Sequence, residues 1–115
     1  MAYAVLNPEQ TERYSRQIKL PQLGETGQQR LLDAQVLIIG MGGLGSPVSM
    51  YLAAAGVGHL IISNYDQVDE SNLQRQIVHT QASVNELKAT SARDTLLRLN
   101  PAVAIDALNY EERRA

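Results

Sequence analysis

Three short runs of this chain are rich in apolar residues, and two longer stretches of good helix formers separate them. The runs are residues 35–39, 59–63 and 102–108, and the first two are dominated by the β-branched and aliphatic residues typical of strands. The run at 35–39 lacks polar–apolar alternation, so we expect a strand buried on both faces. The two intervening stretches, 46–55 and 83–99, predict helices because each lies between recognisable start and stop signals.

Start signals also predict helices ahead of the first strand. Asn7-Pro8-Glu9 has the order of an N-cap residue, a proline in the first turn and an early acidic residue, and it predicts a helix that ends near Pro21. A second short helix is predicted over 27–34. Farther along, residues 83–86 match a capping box, in which a serine and a glutamate three residues later each bond the other's backbone N–H. We therefore expect the last helix to begin there.

The order of these elements indicates the fold class. Strands that alternate with helices pair in parallel and are joined by right-handed crossovers. We expect an α/β protein, a Rossmann-like βαβαβ half of a doubly wound fold that follows two short helices. The predicted organisation is a helical arm over 1–34, a half-domain over 35–108 and a polar, solvent-facing tail over 109–115.

Composition excludes several classes of protein. The 115 residues carry a formal net charge of −2, which supplies no basic face for nucleic acid. Cysteine is absent, so disulfides, thiolate nucleophiles and cysteine zinc sites are excluded, and we expect no metal site from His59 and His79, which we interpret as structural or solvated. Because no apolar run reaches the roughly 18 residues of a membrane span and no signal peptide is evident, we expect a cytoplasmic protein without membrane partners.

A glycine-rich loop is the clearest chemical signal. Gly40, Gly42 and Gly45 complete G-x-G-x-x-G directly after a predicted strand and before a predicted helix. One glycine permits the tight turn, the next allows the backbone to approach a phosphate, and the third allows the helix to pack closely on the strand. The helix N-terminus then presents N–H groups and a positive dipole end to an anion. The loop therefore predicts phosphate binding.

The residues beyond the loop help to choose between phosphate ligands. Dinucleotide sites place an acidic residue about 20 positions on to hold the ribose. Here Asn64 stands near that position with Asp66 close by, and the uncharged amide argues against NAD. Arg75 and Lys88 suit a triphosphate that loses pyrophosphate, because charge develops on the leaving oxygens. They also fit ordinary solvated surface cations, and that alternative stays open.

Longer strings of sequence add a family resemblance. The chain resembles the ThiF/MoeB/HesA group of E1-like adenylyltransferases, relatives of the ubiquitin-activating enzymes, from about Glu12 to Ala107. The resemblance rests on four strings in the same order, which are Arg13-Tyr14-Ser15-Arg16-Gln17-Ile18, the run from Val36 to Ser46, Ala53 to Gly58, and Ser71-Asn72-Leu73-Gln74-Arg75-Gln76. The first and last strings are far more specific than the glycine loop alone.

The resemblance implies an enzyme that binds MgATP and the C-terminal Gly-Gly of a ubiquitin-like sulfur carrier. The carrier's carboxylate would attack the α-phosphorus, forming an acyl-adenylate and releasing pyrophosphate. The resemblance implies that the loop backbone and further side chains bind the triphosphate, and that Asn64 binds the ribose. It also implies a homodimer in which Arg16 reaches the γ-phosphate bound in the partner subunit. The residues so implied in nucleotide binding are Gly40, Gly42, Gly43, Gly45, Asn64, Asp66, Asn72, Arg75, Gln76 and Lys88, with Arg75, Lys88 and Arg16 as the catalytic set.

Two departures from the family pattern leave alternative functions open. The family usually has aspartate where this chain has Asn64, and its members continue for a comparable length with the Mg²⁺ ligand, a zinc-binding cysteine set and the carrier groove. The alternatives are a truncated, non-catalytic ATP-binding or dimerisation module and, with less support, an NAD-binding oxidoreductase fragment. The Tyr14-Ser15 pair in the first string slightly favours an enzyme of the thiamine pathway over one of the molybdopterin pathway.

The predicted half-sheet leads to a prediction about assembly. It leaves the most apolar strand, 35–39, at an edge, and unpaired edges tend to pair with other chains. We expect either self-association through this edge or that the chain is a piece of a longer protein. Light scattering tests this, and a monodisperse monomer would contradict it.

Overall fold

A computed structural model describes residues 6–64 and 66–108. The predicted tail, 109–115, lies outside the described residues. Single turns of 3₁₀ helix at Glu70–Asn72 and Gln81–Ser83 lie between the second strand and the last helix. The helices and strands are α1 (Pro8–Arg13), α2 (Ser15–Ile18), α3 (Gly24–Asp33), β1 (Gln35–Ile39), α4 (Gly45–Ala55), β2 (His59–Ser63), α5 (Lys88–Leu99) and β3 (Ala104–Leu108).

The three strands form one parallel sheet in the order β1-β2-β3. Gln35 is in register with His59, and His59 is in register with Ala104. The predicted α/β class and the βαβαβ order are confirmed, and β1 lies at an edge of the sheet. β3 begins two residues later than expected, because Val103 donates its N–H to the Asn100 carbonyl in a turn (3.2 Å).

The hydrophobic core lies between one face of the sheet and the two crossover helices. Ile38, Leu60 and Ile62 point from the strands toward α4 and α5, and Ala53 and Leu96 are among the helix residues that meet them. α4 packs on β1, α5 packs on β2 and β3, and the two helices pack on each other. Within the described residues, none of the helices is both long and apolar enough to span a bilayer.

The expectation that β1 is buried on both faces is wrong. Leu37 and Ile39 are 56% and 58% exposed, on the face opposite Ile38. Consecutive parallel strands joined by right-handed crossovers place both helices on the same side of the sheet. The described helices therefore cover only one face, and the apolar residues of β1 that point the other way remain open.

The start of the first helix is as predicted. Asn7 accepts the N–H of Gln10 on its side-chain oxygen (2.8 Å), and the Gln10 side chain accepts the N–H of Asn7 (2.9 Å). The helix is interrupted at Tyr14, which separates α1 from α2. The next helix, α3, begins at Gly24, three residues earlier than expected.

The interruption at Tyr14 turns this side chain into the protein interior. Tyr14 is 3% exposed, and its hydroxyl accepts a hydrogen bond from Asn100 Nδ2 (2.8 Å). The same amide group donates to the Ala53 carbonyl in the last turn of α4 (2.9 Å). One fully buried amide thus joins the helical arm, α4 and the turn after α5.

The end of α4 is also held by side chains from the arm. Gln17 and Gln28 both donate to the carbonyl of Ala55 (2.7 and 3.1 Å), one of the carbonyls that a helix end leaves without a partner. Gly56 ends the helix with φ at +91°, and a Cβ there would lie 2.6 Å from the Tyr14 ring. The string around residue 14 therefore has a structural role in fixing the arm to α4.

The capping box predicted over 83–86 is absent. The Ser83 hydroxyl bonds backward, accepting the Thr80 N–H (3.0 Å) and donating to the Thr80 carbonyl (2.9 Å). Asn85 has φ at +76°, which no helix can continue through. α5 instead begins at Lys88, after Leu87, which makes no side-chain cap.

We predict that Gly58→Ala strongly destabilises the protein. A Cβ at Gly58 would lie 1.8 Å from the Leu32 carbonyl oxygen, so the backbone at the start of β2 would have to move. The free energy of unfolding should fall by about 3 kcal/mol or more, measured by urea denaturation. Gly43→Ala is the matched control, since its Cβ would enter open space. Equal stability of the two variants would contradict the prediction.

Candidate functional site

The glycine loop is shaped by close packing at its two ends. Gly40 has φ at +94° and donates its N–H to the Ser63 carbonyl (2.8 Å), which ties the end of β1 to the end of β2. A Cβ at Gly45 would lie 2.0 Å from the Gly40 carbonyl oxygen. Glycine at 40 and 45 is therefore required by the fold, whether or not a ligand binds.

The middle of the loop is different. A Cβ would meet nothing within 4 Å at Gly43 and only an ordinary contact at Gly42, with Gln76 Nε2 at 3.7 Å. Among the hydrogen bonds between described residues, none uses the N–H groups of these two glycines. Packing does not explain these glycines, whereas a ligand bound against the loop backbone does. Their N–H groups lie at the start of α4, where the helix dipole favours an anion.

Asn64 and Asp66 form a turn at the carboxyl end of β2. Asn64 is 7% exposed, and its Oδ1 accepts the Asp66 N–H (2.8 Å). Because the oxygen faces that donor, the amide group presents its Nδ2 donor on the other side. The Asp66 carbonyl accepts the N–H of Lys88 (2.7 Å), so this turn also fixes the start of α5.

Lys88 is buried at the start of α5. It is 9% exposed, and among the described residues no carboxylate lies within ion-pair distance of its ammonium. A buried charge without a counter-charge is costly, and proteins normally pair it. The solvated alternative for Lys88 is therefore wrong.

His79 connects α5 to the glycine loop. It is 4% exposed, and its ring nitrogens lie 3.0 Å from the Met41 carbonyl oxygen and 2.8 Å from Ser91 Oγ. Burial lowers the pKa of His79, the hydrogen bond to Met41 opposes that change, and the nearby charge of Lys88 lowers the pKa further. His79, which contacts the loop backbone, therefore lies within electrostatic range of Lys88. Of the two readings of His79, structural and solvated, the solvated one is wrong.

Gln76 faces the loop from the segment after β2. It is 5% exposed, its Oε1 has no hydrogen-bond partner among the described residues, and its Nε2 lies beside Gly42. A buried amide oxygen without a protein partner is rare and requires a donor from a water molecule or a ligand. The predicted position of Gln76 at the site is therefore consistent with its surroundings.

Asn72 and Arg75 lie in the preceding turn. Asn72 is half-buried, and its Oδ1 accepts the Asp69 N–H (3.0 Å) while its carbonyl accepts the Gln76 N–H (2.8 Å). Arg75 is exposed, with one guanidinium nitrogen 3.4 Å from the Ser71 carbonyl oxygen. Asn72 therefore shapes the turn that precedes Gln76. The exposure of Arg75 fits the solvated alternative as well as the site, so its role there stays a prediction.

Arg16 is not brought to the loop by the contacts of its own helix. It is exposed on α2, which packs on α1 and α3. Its expected role in a partner subunit's site stays a prediction. Within the described residues, no three His, Asp or Glu side chains gather closely enough to hold a metal ion, and His59 pairs instead with Asp106 (2.7 Å).

Comparison with curated proteins gives close relatives. The probable adenylyltransferase/sulfurtransferase MoeZ of Mycobacterium tuberculosis is 52% identical over 102 residues, which cover 89% of this chain and 26% of MoeZ. The molybdopterin-synthase adenylyltransferase of Escherichia coli is 49% identical over 106 residues, covering 92% of this chain and 43% of that protein. The chain thus spans less than half the length of these relatives.

A solved structure with a similar fold carries a nucleotide. The E. coli tRNA N6-threonylcarbamoyladenosine dehydratase TcdA, in complex with ATP, matches with a TM-score of 0.85 at 26% identity and covers 93% of this chain and 43% of that one. A family model described as "ThiF family" matches residues 14–113. The match takes in the glycine loop, the buried lysine, the first specific string from Tyr14 onward and the whole of the last one, and the chain therefore belongs to the ThiF family.

Proposed function

We propose that this chain is the nucleotide-binding part of an ATP-dependent adenylyltransferase, which activates the C-terminal Gly-Gly carboxylate of a ubiquitin-like sulfur carrier. The observation that carries the proposal is the Lys88 side chain, which is buried at the start of α5 without a carboxylate partner in the described part of the chain. Its charge needs an anion, and the loop offers N–H donors to the same anion.

The residues present fit a polyphosphate. Two loop N–H groups at the start of α4, the Gln76 amide and the Lys88 ammonium supply donors from three separate segments, and Arg75 lies one residue from Gln76. Backbone N–H groups hold phosphate oxygens at short range, and the cation balances their charge. Among phosphate ligands, the ATP complex of TcdA and the adenylyltransferase names of the relatives favour ATP.

The proposed reaction transfers an adenylyl group. An oxygen of the carrier's terminal carboxylate forms a bond to the α-phosphorus, and the bond between that phosphorus and the oxygen bridging to the β-phosphate breaks. The leaving pyrophosphate gains negative charge, which Lys88, Arg75 and the loop N–H groups stabilise. Arg16 of a second subunit would reach the γ-phosphate in a homodimer.

Magnesium enters this proposal with ATP. It neutralises phosphate charge in such transfers, but the described residues contain no cluster of carboxylates suited to hold it. The family resemblance implies that its ligand lies outside this chain, and we keep that assignment as part of the proposal.

The carrier belongs, on this proposal, to the thiamine or the molybdopterin pathway of the cytoplasm. The E. coli relative, 49% identical, is named for molybdopterin synthase, which supports the second branch over the first.

We predict that the chain binds ATP in preference to NADH, because charged side chains surround the loop and Asn64 offers no carboxylate to a dinucleotide ribose. Isothermal titration measures both affinities. Pyrophosphate exchange into ATP, with a carrier ending in Gly-Gly, then separates an active enzyme from a binding module. ATP binding without exchange favours the non-catalytic module, and preferential binding of NADH would overturn the proposal.

We predict that Lys88→Met weakens ATP binding about 10-fold or more, because a phosphate loses its buried cation. The free energy of unfolding should not fall, since the variant removes a buried, unpaired charge from the free protein. Arg98→Met is the matched control, because Arg98 lies in the last turn of the same helix and is exposed. Equal losses of affinity in both variants would exclude Lys88 from the site.

We also predict that Arg75→Ala weakens ATP binding by about 1–3 kcal/mol, the size of a lost charge-assisted hydrogen bond. The exposed position of Arg75 leaves stability unchanged, so thermal unfolding should match that of the unaltered chain. A dissociation constant equal to that of the unaltered chain would remove Arg75 from the site.

A further inference from the structure

We infer that His79 is a positioning residue for the glycine loop: its Nε2–H holds the Met41 carbonyl inward and thereby turns the Gly42 N–H outward. The effect on nucleotide binding rests on the proposed function, whereas the effect on the loop does not. His79 touches the backbone of the loop and acts through it.

The geometry of one peptide bond carries this inference. The carbonyl of Met41 and the N–H of Gly42 belong to the same planar trans peptide, so they point in opposite directions. His79 Nε2 lies 3.0 Å from the Met41 carbonyl oxygen, inside the protein. The Gly42 N–H therefore points away from His79 and out of the core. A rotation of this peptide would hide the donor and expose the carbonyl, which repels an anion.

The partners of the ring decide which nitrogen carries the proton. A carbonyl oxygen only accepts, so Nε2 must donate to Met41. Burial lowers the pKa of His79, which favours the neutral ring. In that ring Nδ1 is the acceptor, and the Ser91 hydroxyl donates to it (2.8 Å). This neutral ring connects the loop to α5 without adding a second positive charge beside Lys88.

Neighbouring contacts hold His79 itself in place. The Val78 N–H donates to Ser46 Oγ (2.7 Å) in the first turn of α4, and Thr95 Oγ1 donates to the Val78 carbonyl (2.6 Å). The backbone next to His79 is thus fixed between α4 and α5. The ring extends from this fixed point to the loop and is the side chain that sets the direction of the Met41–Gly42 peptide.

Two substitutions separate the roles of the two ring nitrogens. His79→Gln places an amide donor near the position of Nε2 and keeps the bond to Met41, whereas His79→Asn reaches only the position of Nδ1 and loses it. Ser91→Ala removes the other contact and serves as the control. The loop exchange rate is measured in the free chain from the amide of Ser46, whose N–H donates to the Gly42 carbonyl (3.0 Å) and exchanges faster when the loop is loosened. The dissociation constant is measured for ATP.

We expect His79→Asn to speed exchange in the loop and to weaken ATP binding about 3- to 10-fold, the effect of one lost hydrogen bond. His79→Gln and Ser91→Ala should stay within about twofold of the unaltered chain in both measurements. Equal effects of Asn and Gln, or effects that follow the urea stability of each variant, would overturn the inference.

The inference can still be tested if the chain does not bind ATP or if a variant does not fold. If the unaltered chain does not bind ATP, the proposed function fails, while loop exchange in the Asn and Gln variants still tests His79. If His79→Asn does not fold, the ¹⁵N chemical shifts of the ring in the unaltered chain decide. A neutral Nε2–H ring at pH 7 supports the inference, and an Nδ1–H or charged ring overturns it.

Discussion

The close approach of Gly45 to Gly40 is the constraint on which the rest of the site depends. Because no Cβ fits between the start of α4 and the end of β1, the helix begins directly at the carboxyl ends of the strands. Its first N–H groups therefore lie where the strands end, at the crevice in which open α/β sheets bind ligands. A longer loop between β1 and α4 would not fix the direction of these N–H groups.

The candidate site also needs residues that are distant in sequence to lie near the carboxyl ends of the strands. The segment after β2 does so through backbone and hydroxyl contacts, with Val78 bound between Ser46 and Thr95 and the Asp66 carbonyl bound to the start of α5. These contacts use neutral groups, so they leave the ammonium of Lys88 uncompensated. The proposed function assigns this buried charge to a bound anion.

Much of the fold was predictable from local pattern, because each strand and crossover helix carries its own signal. The βαβαβ order, the cap at Asn7 and the loop glycines all depend on neighbouring residues. The predicted capping box failed because Ser83 found a nearer partner in Thr80. The exposure of Leu37 and Ile39 was missed because it depends on which side both crossovers take.

The candidate site was proposed in outline from the sequence, whereas the contacts that support it were not foreseen. The glycine motif indicated Gly42, and the family resemblance implied Gly43 and Lys88. The binding roles of these residues stay predictions. The contacts of His79 could not be predicted, since a lone histidine in a polar stretch carries no sign that it will meet Met41 and Ser91 from elements 38 and 12 residues away. Such contacts are a property of the tertiary structure.

The turn at Asn64 has an electrostatic consequence. Its amide oxygen is occupied by Asp66, and the group left over is a neutral donor where the resembled family usually has a carboxylate. The carboxyl end of β2 therefore carries one negative charge fewer than the family pattern would give it. On the proposed function, selectivity shifts away from the sugar and toward the polyphosphate, so added salt should compete with nucleotide more strongly here than in proteins that keep the acid.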